Sequence, residues 1–130
     1  MSKKILVIDD EKNILLTLNL ILRNEGYDVL VASDSLDGVI KAGELKPDLI
    51  LLDICLPRVD GYSGCRSLRC DVDIDKIPIV FMSSKNQEED IKEAFDSGGN
   101  DYLLKPFTKE KLLDIIEKNI SKGEKWKRKY

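Results

Sequence analysis

Short apolar runs alternate with amphipathic segments along almost the whole chain, and this alternation constrains the fold more than any other feature of the sequence. The apolar runs are about four to six residues long, which suits strands buried on both faces. The amphipathic segments repeat their apolar residues at helical spacing. Parallel strands joined by right-handed helical crossovers satisfy both patterns, so we predict a doubly wound α/β domain with five strands and five helices. The predicted strands are Ile5–Ile8, Val29–Ala32, Leu49–Leu52, Ile77–Met82 and Asp101–Leu104.

Residues that favour helix ends lie at the borders of the amphipathic segments. Gly26 stands where the C-terminus of the first helix is expected, and Pro47 closes the second helix. Ser84 and Gln87 have the spacing of a capping box, which predicts that the fourth helix opens at Ser84. Thr108 is predicted to cap the fifth helix.

Length and charge predict one domain followed by a short basic segment. We expect a single domain over residues 1–121 and a basic tail, or the start of a linker, over residues 122–130. The last ten residues carry a net charge of +4 and the other 120 carry −7. An acidic body disfavours contact with a phosphate backbone, so we expect no nucleic-acid binding by this domain alone. No apolar run reaches the ~20 residues of a membrane span, and the first residues lack a secretory signal. We therefore expect a cytoplasmic protein with no membrane contact and with free thiols at its three cysteines.

Polar side chains follow four of the five predicted strands. Asp9 and Asp10 come after the first strand, Asp53 after the third, Ser83 after the fourth and Lys105 after the fifth. The carboxyl ends of parallel strands lie at one edge of the sheet, where doubly wound domains bind their ligands. The five side chains are therefore expected to meet in one site.

The types of these side chains favour phosphoryl transfer to a carboxylate. Three neighbouring carboxylates repel one another unless a cation lies among them. The chain has no histidine, and oxygen ligands without histidine favour Mg²⁺ over zinc. A carboxylate can act as a nucleophile towards phosphorus, and such a transfer depends mainly on positioning and charge neutralisation. Ser83 could donate to one phosphoryl oxygen and Lys105 could pair with another.

With these residues in place, the chain resembles the receiver domain of two-component response regulators over about residues 3–121. The resemblance implies a flavodoxin-like sheet with the strand order 2-1-3-4-5. It rests on five motifs in the order and spacing of that family, which are Ile5–Glu11, Asp48–Asp53, Leu56–Gly61, Ile77–Ser83 and Asp101–Phe107.

The resemblance also implies a role for each site residue. Asp53 corresponds to the phosphorylated aspartate, and Lys105 to the phosphate-binding lysine, whose bond to Pro106 is expected to be cis. Ser83 takes the position of the switch hydroxyl. Tyr102 takes that of the aromatic residue that couples the site to the face formed by the fourth helix, fifth strand and fifth helix. The implied Mg²⁺ ligands are Asp9 through a water, Asp10, Asp53 and the backbone carbonyl of Cys55.

A histidine is supplied by the partner in the family that the chain resembles. The implied phosphoryl donor is a sensor histidine kinase or a phosphotransfer protein. The implied function is that of a phosphoacceptor signalling domain rather than an enzyme with a substrate of its own. Its output would pass to a downstream effector protein or to an output domain outside this chain, and a phosphorylation-dependent homodimer is a further alternative. The chain could be a free-standing receiver or the first domain of a longer regulator.

Cys55 bears on two further expectations. A phosphatase of the haloacid dehalogenase type also uses an aspartate nucleophile at the end of a strand, and it is the alternative function. That class needs a second aspartate two residues later as the general acid, and here this position is Cys55. In the receiver family, Cys55 and Lys85 occupy positions that flank the phosphoryl group. Neither side chain orients water well, so we hypothesise slow self-dephosphorylation.

Overall fold

Ten elements alternate along the chain in the computed structural model, which describes residues 2–122 in full and residues 123–129 as helical backbone. The strands are β1 (Lys4–Ile8), β2 (Asp28–Ala32), β3 (Leu49–Asp53), β4 (Ile79–Ser83) and β5 (Asp101–Leu104). The helices are α1 (Lys12–Asn24), α2 (Ser35–Leu45), α3 (Gly61–Arg69), α4 (Glu88–Asp96) and α5 (Lys109–Lys129). Lys122 is exposed, and the remaining side chains of the predicted basic tail lie outside the described residues.

All five strands pair in parallel, in the order β2-β1-β3-β4-β5, which confirms the predicted fold class. Neighbouring side chains of β3 point to opposite faces of the sheet, and both faces are covered. Leu51 packs in one core with Leu18 of α1 and Ile116 of α5. Leu52 packs in the other core with Leu68 of α3, together with residues of α2 and α4. Every residue of β3 is buried, as expected for a central strand between two helical layers.

The predicted bounds of the fourth strand are wrong at both ends. Ile77 and Pro78 precede β4, which begins at Ile79 and ends at Ser83. The amide of Ile77 donates to the carbonyl of Ile74 within the preceding turn, so it does not join the ladder. Pro78 has no N–H to donate.

The predicted opening of the fourth helix at Ser84 is also wrong. Helix α4 begins at Glu88, and its N-cap residue, Gln87, makes no side-chain capping bond. The amide of Lys85 donates instead to Oγ of Ser83, at 3.1 Å. Residues 84–87 consequently form a loop at the carboxyl end of β4.

The other predicted helix ends agree with the structure. Helix α1 ends two residues before Gly26, and α2 ends two residues before Pro47. Oγ1 of Thr108 accepts a hydrogen bond from the amide of Lys111 at 3.1 Å, so this residue caps α5 as predicted. No helix within the described part of the chain is long and apolar enough to cross a membrane.

Lys46 follows α2 in the left-handed conformation, with φ 44° and ψ 67°, and its amide donates to Ala42. A residue with a Cβ atom is strained there by about 1 kcal/mol relative to glycine. We expect Lys46→Gly to raise the free energy of unfolding, measured in urea, by roughly 0.5–1 kcal/mol. Lys46→Ala is the control, because alanine keeps the Cβ atom and should bring no gain. An equal gain in both variants would show that the lysine side chain, not the backbone, lowers the stability.

Candidate functional site

Three aspartates meet at the carboxyl ends of β1 and β3. The register of this strand pair aligns Ile8 with Leu52, which brings the following residues, Asp9 and Asp53, side by side. Both are buried, whereas Asp10 is exposed. One carboxylate oxygen from each of Asp9, Asp10 and Asp53 lies within 4.8 Å of the others. The three predicted acidic residues therefore form one cluster.

Lys105 reaches this cluster from the far side of β4. Its Nζ lies 2.9 Å from Oδ2 of Asp9 and 3.4 Å from Oδ1 of Asp53. The amide of Lys105 donates to the carbonyl of Ser83 at 2.8 Å, which anchors its backbone to the end of β4. The bond between Lys105 and Pro106 is cis, as the resemblance implied. One ammonium group thus pairs with two buried carboxylates.

The three carboxylates and Lys105 together carry a net negative charge. Burial raises the pKa of Asp53 from 3.8 to about 6, and repulsion by Asp9 adds to this rise, while Lys105 acts in the opposite direction. Desolvation lowers the pKa of Lys105, but its bonds to Asp9 and Asp53 more than compensate, so the net shift is upward. The lysine stays charged at neutral pH and offsets part of the carboxylate charge.

The donor atoms of the cluster suit a hard divalent cation. They are carboxylate oxygens, and the chain has no histidine to compete with them. A cation between the carboxylates would relieve the repulsion that raises the pKa of Asp53. Cys55 lies two residues beyond β3 and is exposed, and the role of its carbonyl stays a prediction.

Ser83 and Tyr102 are connected through the peptide groups of Lys85. Ser83 is buried at the end of β4, and its Oγ accepts a hydrogen bond from the amide of Lys85. The hydroxyl of Tyr102 donates to the carbonyl of Lys85 at 2.7 Å. The phenol is protonated at neutral pH and can donate, and burial raises the pKa of Tyr102 further above its ordinary value. The β4–α4 loop therefore lies between the two predicted switch residues.

Gly61 is a site residue for which sequence reasoning assigned no role. A Cβ atom at this position would overlap the carbonyl oxygen of Asp53, so α3 can begin against this backbone only with glycine. The amide of Gly61 donates to Ile54 at 2.8 Å and closes the β3–α3 loop. The carboxylate of Asp60 accepts from the amide of Ser63 and caps α3. The sequence signal for this start was the Asp-Gly pair after the proline-containing loop.

Polar side chains of α3 hold α4, and nothing in the sequence pattern indicated this. Tyr62, Arg66 and Arg69 lie at helical spacing on one face of α3 and donate to groups of α4 and the residues after it. Their acceptors are the Asp90 carbonyl at 3.1 Å, the Glu93 carboxylate and the Gly98 carbonyl at 2.9 Å. Two of these acceptors are backbone carbonyls, which carry no sequence signature.

Comparison with known proteins gives the class of protein to which this fold and site belong. A family model described as "Response regulator receiver domain" matches residues 5–117. The DNA-binding response regulator MtrA of Mycolicibacterium smegmatis is 36% identical, and the match covers 95% of this chain and 53% of MtrA. The alkaline phosphatase synthesis transcriptional regulatory protein PhoP of Bacillus subtilis is 41% identical, with 95% and 51% covered.

A solved structure agrees with these matches. The receiver domain of the sensor histidine kinase PA1611 from Pseudomonas aeruginosa was determined with a magnesium ion in its active-site cleft. It aligns with a TM-score of 0.87 at 30% identity, covering 93% of this chain and 99% of that domain. The chain belongs to the response regulator receiver family, a class of signalling domains. It spans about half the length of the curated relatives that it matches.

The raised pKa of Asp53 predicts how stability depends on pH in the metal-free protein. Between its ordinary value of 3.8 and about 6, the folded state holds a proton that the unfolded chain releases. The contribution of Asp53 to the free energy of unfolding therefore falls as the pH rises through this interval and stays low above it. Asp53→Asn removes this pH dependence. The free energy of unfolding of the variant relative to the wild type should therefore increase by about 2–3 kcal/mol between about pH 4 and pH 7.5.

Urea unfolding with a chelator present measures this difference. Asp114→Asn is the matched control, because this exposed aspartate of α5 lies outside the cluster and should show no comparable change. Parallel pH profiles for the wild type and Asp53→Asn would contradict the prediction.

Proposed function

We propose that this chain accepts a phosphoryl group on Asp53 from a sensor histidine kinase or phosphotransfer protein, in a reaction that requires Mg²⁺. The observation that carries the proposal is the placement of Lys105, whose Nζ contacts the carboxylates of Asp9 and Asp53 at the carboxyl edge of the sheet. A buried carboxylate beside an ammonium group and two further carboxylates is the arrangement that an aspartate phosphoacceptor needs.

Asp53 is the nucleophile. With a pKa of about 6 its carboxylate is mostly ionised at neutral pH, and its partial desolvation leaves the oxygens reactive. One oxygen attacks phosphorus while the bond from phosphorus to the donor's nitrogen breaks, and the electron pair of that bond leaves with the nitrogen. Lys105 then pairs with a phosphoryl oxygen in place of a carboxylate.

Asp9, Asp10 and Asp53, with the Cys55 carbonyl, would hold the cation. When bound, Mg²⁺ neutralises charge on the phosphoryl oxygens and on the carboxylates, which otherwise repel an anionic donor. The cluster's oxygen donors and its uncompensated negative charge support this assignment.

Ser83 and Tyr102 would convert phosphorylation into a change at the surface formed by α4, β5 and α5. A phosphoryl group brings ~1.5–2 negative charges and three acceptor oxygens. If the Ser83 side chain rotated to donate to one of these oxygens, its Oγ would lose the hydrogen bond that it accepts from the amide of Lys85, whose carbonyl holds Tyr102. The surface would then bind an effector protein, an output domain or a second copy of the chain. Nothing in the described residues or in the matched proteins supports the phosphatase alternative.

Phosphorylation by acetyl phosphate tests the proposal. We expect the wild type to incorporate phosphate when Mg²⁺ is present, and Asp53→Asn to incorporate none, because an amide is not a nucleophile towards phosphorus. Without Mg²⁺ the wild type should also incorporate none, since the clustered carboxylates repel the donor. Intact-protein mass spectrometry measures the added phosphoryl group. Equal incorporation in the wild type and Asp53→Asn would refute the assignment of Asp53.

The side chains at positions 55 and 85, which flank the phosphoryl group in the receiver family, predict the lifetime of the phosphorylated protein. The Cys55 thiol is a weak hydrogen-bonding group, and the ammonium group of Lys85 has no acceptor to orient an attacking water. We expect slow decay in the wild type and faster decay in Cys55→Asn, which introduces an amide. Loss of the phosphoryl group after donor removal measures both rates, and Cys70→Asn, at another exposed cysteine, is the control. A wild-type half-life of seconds would contradict the hypothesis.

A further inference from the structure

Ser35 joins the first turn of α2 to the β3–α3 loop. The residue is 3% exposed, and its Oγ lies 2.9 Å from the carbonyl oxygen of Val59 and 3.3 Å from that of Asp60. A serine hydroxyl has a single hydrogen, so Val59, with the shorter distance, is the principal acceptor. This hydrogen bond spans 24 positions of the sequence and connects two separate β–α units.

The loop that Ser35 contacts is the one that follows Asp53. Inside the loop, the amide of Val59 donates to Pro57 and the amide of Gly61 donates to Ile54. These two bonds shape the loop, and the amide of Ile54 joins its beginning to Met82 of β4 at 3.3 Å. The hydrogen bond from Ser35 connects the end of the loop farthest from β3 to α2.

Gly64 of α3 lies beside the Ser35 side chain and leaves room for it. A Cβ atom at position 64 would lie 2.8 Å from Oγ of Ser35 and 3.2 Å from its Cβ. The close approach of α3 to α2 at Ser35 therefore requires glycine at position 64.

We propose that Ser35 is a positioning residue for cation binding, because it holds the β3–α3 loop in the conformation from which the Cys55 carbonyl serves the cation. The proposal rests on the function proposed above. Without the hydroxyl, the Val59 carbonyl loses its partner and the loop populates other conformations. The cation then binds only the competent fraction, so its apparent dissociation constant rises by the inverse of that fraction. The chemistry at Asp53 in the loaded protein is unchanged.

Titration of Ser35→Ala with MgCl₂ tests this inference. Amide chemical shifts of the full chain report binding, and we expect the dissociation constant of Mg²⁺ to rise about threefold to tenfold, the range set by loss of one such hydrogen bond. In phosphorylation by acetyl phosphate, the Mg²⁺ concentration for half-maximal rate should rise by the same factor. The rate at saturating Mg²⁺ should stay within about twofold of the wild type, because the competent loop is then fully populated.

Ser97→Ala is the matched control. Ser97 is 4% exposed, and its hydroxyl donates to the carbonyl of Ala94 at 2.7 Å, at the C-terminal end of α4. This variant loses a comparable buried hydrogen bond away from the β3–α3 loop, so its Mg²⁺ dissociation constant should match the wild type. Gly64→Ala is a second test variant, because the added methyl group displaces the Ser35 hydroxyl without removing it. It should also raise the dissociation constant.

Four results would count against the inference, and the last two show failure of the proposed metal site rather than of the role of Ser35. A wild-type dissociation constant in both Ser35→Ala and Gly64→Ala would overturn it. An equal rise in Ser97→Ala would overturn it too, since the effect would then follow general destabilisation. If the wild type shows no Mg²⁺ binding, or Asp10→Asn binds as well as the wild type, the proposed metal site fails, and the inference falls with it.

Discussion

Parallel pairing of all five strands is the constraint on which the site depends. A helical crossover after each strand returns the chain to the starting edge of the sheet, so every strand runs in the same direction. All five carboxyl ends therefore lie at one edge of the sheet. Asp9, Asp53, Ser83 and Lys105 are far apart in the sequence and meet because each follows or ends a strand. If β3 and β4 were antiparallel, Asp53 and Ser83 would lie at opposite edges of the sheet. The helices that cover the two faces thus also determine which side chains can share a site.

This convergence concentrates charge where water is scarce. Asp9 and Asp53 are buried side by side, and one lysine partly balances them, so Asp53 keeps a pKa of about 6. This desolvation makes the metal-free cluster costly to fold, and under the proposed function the same buried negative charge would attract a cation and leave the Asp53 carboxylate able to react. Stability and chemistry at this edge therefore have a common physical origin, and a gain in one by substitution is expected to lower the other.

Local patterns predicted the elements well and failed where tertiary contacts compete with them. Thr108 caps α5 as predicted, because its acceptor role involves only the next turn of the chain. The pattern that begins at Ser84 is equally suggestive, but α4 begins only at Glu88. Lys85 is held there by the hydroxyl of Tyr102, which donates to its carbonyl from β5, and by the Ser83 hydroxyl, which accepts from its amide. The wrongly predicted helix start lies in the loop between the site and the surface formed by α4, β5 and α5. A regular helix in its place would have removed the segment that links Ser83 to Tyr102.

The sequence by itself determined the order of strands and helices and the residue types at the strand ends, because both are encoded by neighbours a few positions apart. It also determined that carboxylate oxygens, a hydroxyl and an ammonium group would supply the chemistry. Only the tertiary structure decided that Lys105 reaches across β4 to both buried aspartates, and that Ser35 fastens the loop after Asp53. Those contacts depend on the packing of whole elements against one another, and backbone carbonyl acceptors such as that of Val59 exist at every position, so no residue pattern marks them.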